Sequence, residues 1–308
     1  MVVEFIDTYK GRFGVAPICR VLTEHGVGIA PSSYYAYRRR PPSIRAVREV
    51  ELLGEIVRVW AGPGRSRYGA DKVWRQLQAE GIVVARCTVE RLMRHAGLVG
   101  VSRGVVRRTT IGDLSAVRPP DLVDRAFCAE HPNALWVVDF TYASTWSGTA
   151  YTAFAIDVYS RRIVGWRTAS SMPAALPLDA LEMALDLRAR RDEDVTGLVH
   201  HSDAGSQYTS IVYTERLTQA GALASIGTVG DSYDNALAES LIGLYKTECV
   251  HFDGPWRTVD ELELATLLWV DWYNTTRLHS SIGYTTPVAH EKAYWDNNIK
   301  TETGRQTV

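Results

Sequence analysis

Apolar residues recur at helical spacing through the N-terminal third of the chain and then give way to β-rich runs, so the pattern predicts helices first and a sheet afterwards. A first helix is expected near Val2–Arg12. A second is expected from Pro17, with Ile18, Val21 and Leu22 on one face and Gly26 as its stop. A third opens at Ser32-Ser33-Tyr34-Tyr35 and ends in the basic hinge Arg38-Arg39-Arg40-Pro41-Pro42. A longer helix from Arg45, with Val47, Val50, Leu53, Ile56 and Val57 as its stripe, runs to Gly62-Pro63-Gly64. Two short helices follow. Val73, Trp74 and Leu77 point inward from Ala70–Glu80, and Val89, Leu92, Met93 and Ala96 from Arg86–Ala96, with Gly81 and Gly97 as the caps. No internal repeat or low-complexity tract is evident.

Beyond residue 130 the period changes. Leu135–Thr145, Thr149–Val158 and Arg162–Thr168 read as three strands of an antiparallel meander, broken by Ser147-Gly148 and Tyr159-Ser160. A helix over Leu176–Arg190, a strand over Val195–His201, a helix over Ser210–Ala220, a strand over Ala222–Ile226 and a long helix from Asp234 toward Val250 complete a mixed α/β layer fold. Thr258-Val259-Asp260-Glu261 has the form of a capping box, opening a helix whose Leu262, Ala265 and Trp269 form a core stripe. The expected division is an N-terminal helical region (1–45), a helix-turn-helix-like DNA-binding region (46–105), a basic linker (106–130), a catalytic core with a C-terminal helical extension (131–290) and a tail (291–308).

Charge sharpens this picture. The net charge of -1 hides an asymmetry: residues 1–118 hold 20 Lys+Arg against 10 Asp+Glu, leaving 14 against 25 for the remainder. A basic N-terminal part suits a polyanion, and an acidic C-terminal part can hold carboxylates that need a divalent metal. The second helix of the short pair would present Arg86, Thr88, Glu90, Arg91, Arg94 and His95 outward. Their side chains are of the types that contact phosphates and base edges. Arg107 and Arg108 add cationic charge in the linker. The four cysteines form no CxxC pair and are expected as buried free thiols. His200, His201 and His279 lack zinc-ligand spacing. No run is long and apolar enough for a membrane span, and no leader pattern begins the chain, so a cytoplasmic location is expected.

Three acids stand in unusual surroundings. Asp139 interrupts Leu135-Trp136-Val137-Val138-Asp139-Phe140, where an ionised carboxylate without a cation would be costly. Asp203 lies in His200-His201-Ser202-Asp203-Ala204-Gly205, where small residues allow close backbone approach. Glu239 lies on the long helix, where Asn235, Glu239, Gly243 and Lys246 fall on one face. Asp157 precedes a turn and reads as a structural or supporting acid, and Asp231 and Asp234 as helix caps.

These segments resemble the second-reading-frame transposases of bacterial insertion sequences, in the DDE, retroviral-integrase superfamily. The resemblance extends to Pro132-Asn133-Ala134-Leu135-Trp136, to Asp157-Val158-Tyr159-Ser160-Arg161-Arg162-Ile163-Val164-Gly165-Trp166 and to the stretch from Tyr273-Asn274 through Arg277-Leu278-His279 to Thr286-Pro287. It implies a ribonuclease-H-like core with a mixed five-stranded sheet, preceded by an all-α helix-turn-helix region. Asp139, Asp203 and Glu239 would then be catalytic and metal-binding, with Lys246 and its face-mate Asn235 as DNA contacts. Ala204 departs from the pattern, since relatives often carry a longer polar or basic side chain there.

Carboxylate oxygens suit Mg2+ or Mn2+, and two ions can stabilise the attacking and departing oxygens of an in-line phosphoryl displacement. The resemblance implies DNA cleavage followed by strand transfer, acting on the element's terminal repeats and a target. It also implies an upstream-frame partner supplied as a fusion; a homo-oligomer is expected because two DNA ends must be held together, and association with the nucleoid when DNA is bound. Two other readings fit part of the pattern: a DNA-binding regulator with an inactive triad, and a ribonuclease-H-type nuclease that cuts without joining. The regulator would have no use for three acids beside the phosphate backbone. The nuclease would not need the basic N-terminal part.

Overall fold

A computed structural model describes residues 2–64, 66–102, 128–171, 175–202, 208, 210–226 and 236–305. The chain divides into two units, Met1–Glu55 and Ile56–Val308. In the first, α1 (Val2–Phe13), α2 (Val15–Glu24) and α3 (Pro31–Arg39) close around Ile6, Ile18, Cys19 and Tyr34. Helix α2 begins two residues ahead of Pro17. Proline is accepted there because the first-turn N–H groups have no partner within the helix. Val21, expected inward, is exposed.

Helix α4 (Ile44–Ala61) spans the division between the units. Its buried stripe is Leu52, Ile56 and Val59, whereas Val47, Val50 and Val57 are exposed. Both sets are at helical spacing, so only tertiary packing could choose between them.

In the second unit α5 (Ala70–Ala79) and α6 (Arg86–His95) form the expected pair, and Val73, Leu77, Val89, Leu92 and Met93 are buried. Ala96 is the residue after α6 and is exposed, a correction to its inward assignment. Gly81 closes α5 with a φ of 80°, a conformation that residues with a Cβ avoid.

Strands β1 (Leu135–Thr145), β2 (Gly148–Asp157) and β3 (Ile163–Ala169) form the antiparallel meander. Helix α7 (Ala175–Ala189), β4 (Val199–Ser202), α8 (Ile211–Gln219) and β5 (Leu223–Ile226) follow. The sheet order is β3-β2-β1-β4-β5, with β1, β4 and β5 parallel. β4 starts four residues later than the apolar run suggested, because Gly197 turns the chain at a φ of 80°.

Alternation along β1 gives the sheet two different faces. Trp136 and Val138 join Ala155, Val164 and the apolar side of α7 and α8 on one face. Gly165 allows α7 to approach closely there: a Cβ at this position would lie 1.9 Å from Ala180 O. Helices α9 (Ala236–Tyr245) and α10 (Val259–Thr275) cover the other face, where Phe154 packs against Tyr245 and Trp269. Helix α9 ends at Tyr245 and passes into a π-helical segment, Lys246–Val250, where a continuous α-helix was expected.

The Thr258 hydroxyl caps α10 by accepting from Glu261 N–H. Glu261 reaches back to Arg257 N–H, one residue ahead of the cap residue that a capping box would use. Helix α11 (Pro287–Arg305) occupies most of the segment expected as a tail. Its Glu291 is buried in a cluster with Arg162 and Arg188. Among the described residues no helix is long and apolar enough to cross a membrane.

Candidate active site

Asp139 pairs with Phe154 in the β1–β2 ladder, so both side chains belong to the sheet face that α9 and α10 cover. The Asp139 side chain is half-buried, and its Oδ1 accepts the Phe140 N–H at 2.8 Å. One residue earlier, Val138 pairs with Ser202 in the parallel ladder of β1 and β4. Asp203 follows Ser202 in the chain but lies outside the described residues, as do Asn235, Arg107, Arg108, Asp231 and Asp234. Glu239 is exposed in the first turn of α9.

A chain of hydroxyl groups fixes where α9 sits. Thr168 and Thr152 lie 3.0 Å apart, Thr152 is 3.4 Å from the Tyr245 hydroxyl, and that hydroxyl is 2.7 Å from Thr266 on α10. The helix carrying Glu239 is thereby tied to β2, β3 and α10 at its C-terminal end. Asp139, half-buried on the strand, and Glu239, exposed on α9, each carry the hard carboxylate oxygens that Mg2+ prefers. Among the described residues no three His, Cys, Asp or Glu groups are clustered to hold a metal, with Asp203 outside that set.

Long-range contacts hold the π-helical segment. Glu248 forms a bidentate pair with Arg277, at 2.7 and 2.9 Å, and its carbonyl accepts from Arg67 Nε at 2.5 Å. Regular α-helical geometry therefore stops short of Lys246, and the face shared by Glu239 and Gly243 does not extend to it unchanged. Lys246 Nζ instead stands 5.1 Å from the centre of the Tyr142 ring.

Lys246 lines a cavity of about 490 Å3 together with Tyr142, Ser144, His251, Pro255 and Trp256. The wall is anchored where the Trp146 and Ser147 N–H groups donate to Trp256 O and Arg257 O, each at 3.0 Å. Sequence reading missed this feature, since its walls come from segments about a hundred residues apart and no local spacing signals it.

The remaining candidates separate by environment. Asp157 is fully buried; it accepts from Asn133 N–H, Ser160 N–H and the Ser160 hydroxyl, and pairs with Arg188 at 3.3 Å. Its work is structural. His200 and His279 are buried and held neutral, with pKa values depressed by burial to about 4 and about 3. The Arg277 guanidinium, 3.4 Å from Nδ1, adds to the depression at His279. His201 Nδ1 lies 2.9 Å from the Ser225 hydroxyl. Cys19 and Cys249 are buried thiols as expected, but Cys87 and Cys128 are exposed. Burial pushes the Cys249 thiol up to about 12, which keeps it protonated and unreactive.

On α6, Arg86, Arg91, Arg94 and His95 are exposed, and Thr88 and Glu90 are partly so. Arg86 is engaged by Glu90 at 2.8 Å and by Asp71 at 3.2 Å, and these two acids raise its pKa.

Family models agree with this architecture. Two Integrase core domain families match residues 129–232 and 221–287, and an HTH-like domain family matches residues 48–105. The transposase for insertion sequence element IS629 of Shigella sonnei is 52% identical over 295 residues, covering 94% of this chain and 95% of its own. A protein of Mycobacterium tuberculosis assigned as the transposase for IS986/IS6110 is 53% identical over 268 residues, covering 87% and 96%. Among solved structures, the HTLV-2 integrase catalytic core domain in complex with magnesium is 16% identical, covers 51% of this chain and 95% of its own, and has a TM-score of 0.37.

Proposed function

The chain belongs to the transposases of bacterial insertion sequences, and from that premise we propose that Asp139, Asp203 and Glu239 form the carboxylate triad that cuts and joins DNA strands. The observation that carries this reading is the pairing of Val138 with Ser202 in adjacent parallel strands. Each of these residues is followed in sequence by one of the two aspartates, and α9, the helix that carries Glu239, packs through Tyr245 on the sheet face that Asp139 shares with Phe154.

The triad would hold Mg2+ or Mn2+, two ions per site, whose Lewis acidity stabilises charge on the attacking and departing oxygens. The protein's own part is to fix the carboxylates on a rigid sheet and a pinned helix, so that little reorganisation accompanies reaction. In the first step water attacks the scissile phosphorus and the 3′ oxygen departs, leaving a 3′-OH. In the second, that hydroxyl attacks the phosphorus of a target phosphodiester, whose own 3′ oxygen departs, so that one phosphodiester forms as another breaks. Lys246, Asn235, the exposed Arg86, Arg91 and Arg94 and the partly exposed Thr88, with Arg107 and Arg108, serve as contacts to DNA. Holding two element ends together requires a homo-oligomer, and an upstream-frame product joined as a fusion supplies further end recognition.

The test is cleavage and joining of a labelled element-end duplex in Mg2+, with Asp203→Asn and Glu239→Gln compared with the unaltered chain. Loss of both activities in both variants is expected. A wild-type chain, fused to its upstream partner where one exists, that binds the duplex without cutting or joining it would favour the regulator.

A further inference from the structure

The geometry points to a second helix-turn-helix: we infer that α2 and α3 form a DNA-binding module in which α3 enters a groove of duplex DNA. The observation is a structural repeat that the sequence conceals. Helices α2 and α5 have ten residues each, and His25–Ala30 and Glu80–Ala85 then form connections of equal length to α3 and α6.

The cap positions, the turn and the core positions recur at an offset of 55 residues. Gly14 and Gly69 are the N-caps of the first helices. Gly26 and Gly81 follow them with φ of 86° and 80°. Val27 N–H donates to Leu22 O at 2.8 Å, as Ile82 N–H does to Leu77 O at 2.9 Å. Gly26 N–H donates to Thr23 O at 3.1 Å, as Gly81 N–H does to Gln78 O at 3.0 Å. These are the paired bonds of a Schellman cap. Ala30 and Ala85 are both extended N-caps of the second helix. Ile18 and Tyr34 fill the core positions that Val73 and Val89 fill in the other pair. The α5–α6 copy lies within the segment matched by the HTH-like family, whereas α2–α3 lies outside it.

The outward face of α3 has the chemistry of a groove-reading helix. Ser32, Ser33, Tyr35, Tyr37, Arg38 and Arg39 are all exposed, and Tyr37 is 63% accessible. No acidic residue occurs between His25 and Ser43, while Arg38, Arg39 and Arg40 are consecutive. Such a face complements a polyanion, and hydroxyls with arginines can reach both phosphates and base edges. Asp7 pairs with Lys10 and lies 3.7 Å from Arg38, leaving Arg39 and Arg40 at the end of the helix as the outermost charges.

The inference rests on the chain's action on DNA but not on its chemistry, so binding is measured without divalent metal. The full chain, fused to its upstream-frame partner where one exists, is footprinted on a labelled duplex of the element end, and its affinity is read against salt on that duplex and on a scrambled one. Arg39→Ala/Arg40→Ala should lower the slope of log affinity against log salt by about two and weaken binding to both duplexes roughly ten-fold or more. Ser33→Ala/Tyr35→Ala should narrow the preference for the end duplex and erase one protected patch.

All four changes are at exposed positions, and far-UV circular dichroism checks that the helices persist. Arg91→Ala/Arg94→Ala, on α6, is the comparison. If that variant loses affinity while both α3 variants keep wild-type slope, preference and footprint, the second module is refuted and the DNA reading stands. If no variant and not even the unaltered chain discriminates or protects the duplex, both readings fall.

Discussion

Phe154 and Tyr245 meet edge to face, with ring centroids 5.0 Å apart and planes at 69°, and this contact seats α9 on the sheet directly beside Asp139. Phe154 has no exposed surface, so Phe154→Ala should cost about 3–5 kcal/mol in stability through lost burial and an unfilled cavity. Tyr245→Phe keeps the ring contact and removes only the hydroxyl linking Thr152 to Thr266, for about 1 kcal/mol. Urea denaturation of both variants measures the difference. Equal costs would mean that the hydroxyl chain, and not ring packing, holds the helix.

Arg188 is the hub of a buried cluster, touching Asp157 at 3.3 Å, Glu193 at 2.6 Å and Glu291 at 2.6 Å with no exposed surface of its own. Arg188→Met leaves these acids without their shared cation. The expected loss is about 3–5 kcal/mol, the cost of an uncompensated buried charge. A thermal midpoint within a degree or two of wild type would show that the acids find other partners.

Stability should fall as pH drops below about 6.5. His200 and His279 are depressed in the folded state to about 4 and about 3, while the unfolded chain takes up protons on both near 6.5. Between those limits the unfolded state binds more protons, so their contribution is complete above about 6.5 and lost progressively toward 3. The tautomer explains His279: Nε2–H donates to Tyr273 O at 3.1 Å, leaving Nδ1 to face Arg277. A glutamine can supply one donor and one acceptor without titrating. Urea midpoints of His279→Gln between pH 7 and 4 should fall less steeply than those of the wild type; an identical slope would remove His279 from the account.

Much of this architecture is written locally, and each exception has a physical cause. The β1–β2–β3 meander follows from runs of strand-forming residues broken by Ser147-Gly148 and Tyr159-Ser160, and the position of Asp139 inside an apolar strand marks it as unusual. One feature that escaped is set by distant partners. The π-helical segment depends on Arg67 and Arg277 reaching Glu248, and nothing in Lys246–Val250 itself signals it. On α4 Ile56 is buried as expected, but Val47, Val50 and Val57 are exposed, because two apolar rows compete on one helix. The α2–α3 repeat was invisible because a core needs only apolar side chains of fitting shape: Tyr34 stands where Val89 stands in the other copy, and Cys19 where Trp74 does. Its turn and cap residues, Gly26 and Ala30, match Gly81 and Ala85, but small residues are too common to reveal a repeat alone.

The most direct test of the central claim is the number of Mn2+ ions bound per chain, read by electron paramagnetic resonance on the protein with a pre-cut element-end duplex. Wild type should bind two, and Asp139→Asn and Glu239→Gln should each lose at least one or weaken binding about ten-fold or more, with DNA affinity retained. Unchanged Mn2+ stoichiometry and affinity in both variants would contradict the assignment of these carboxylates as the metal-holding triad.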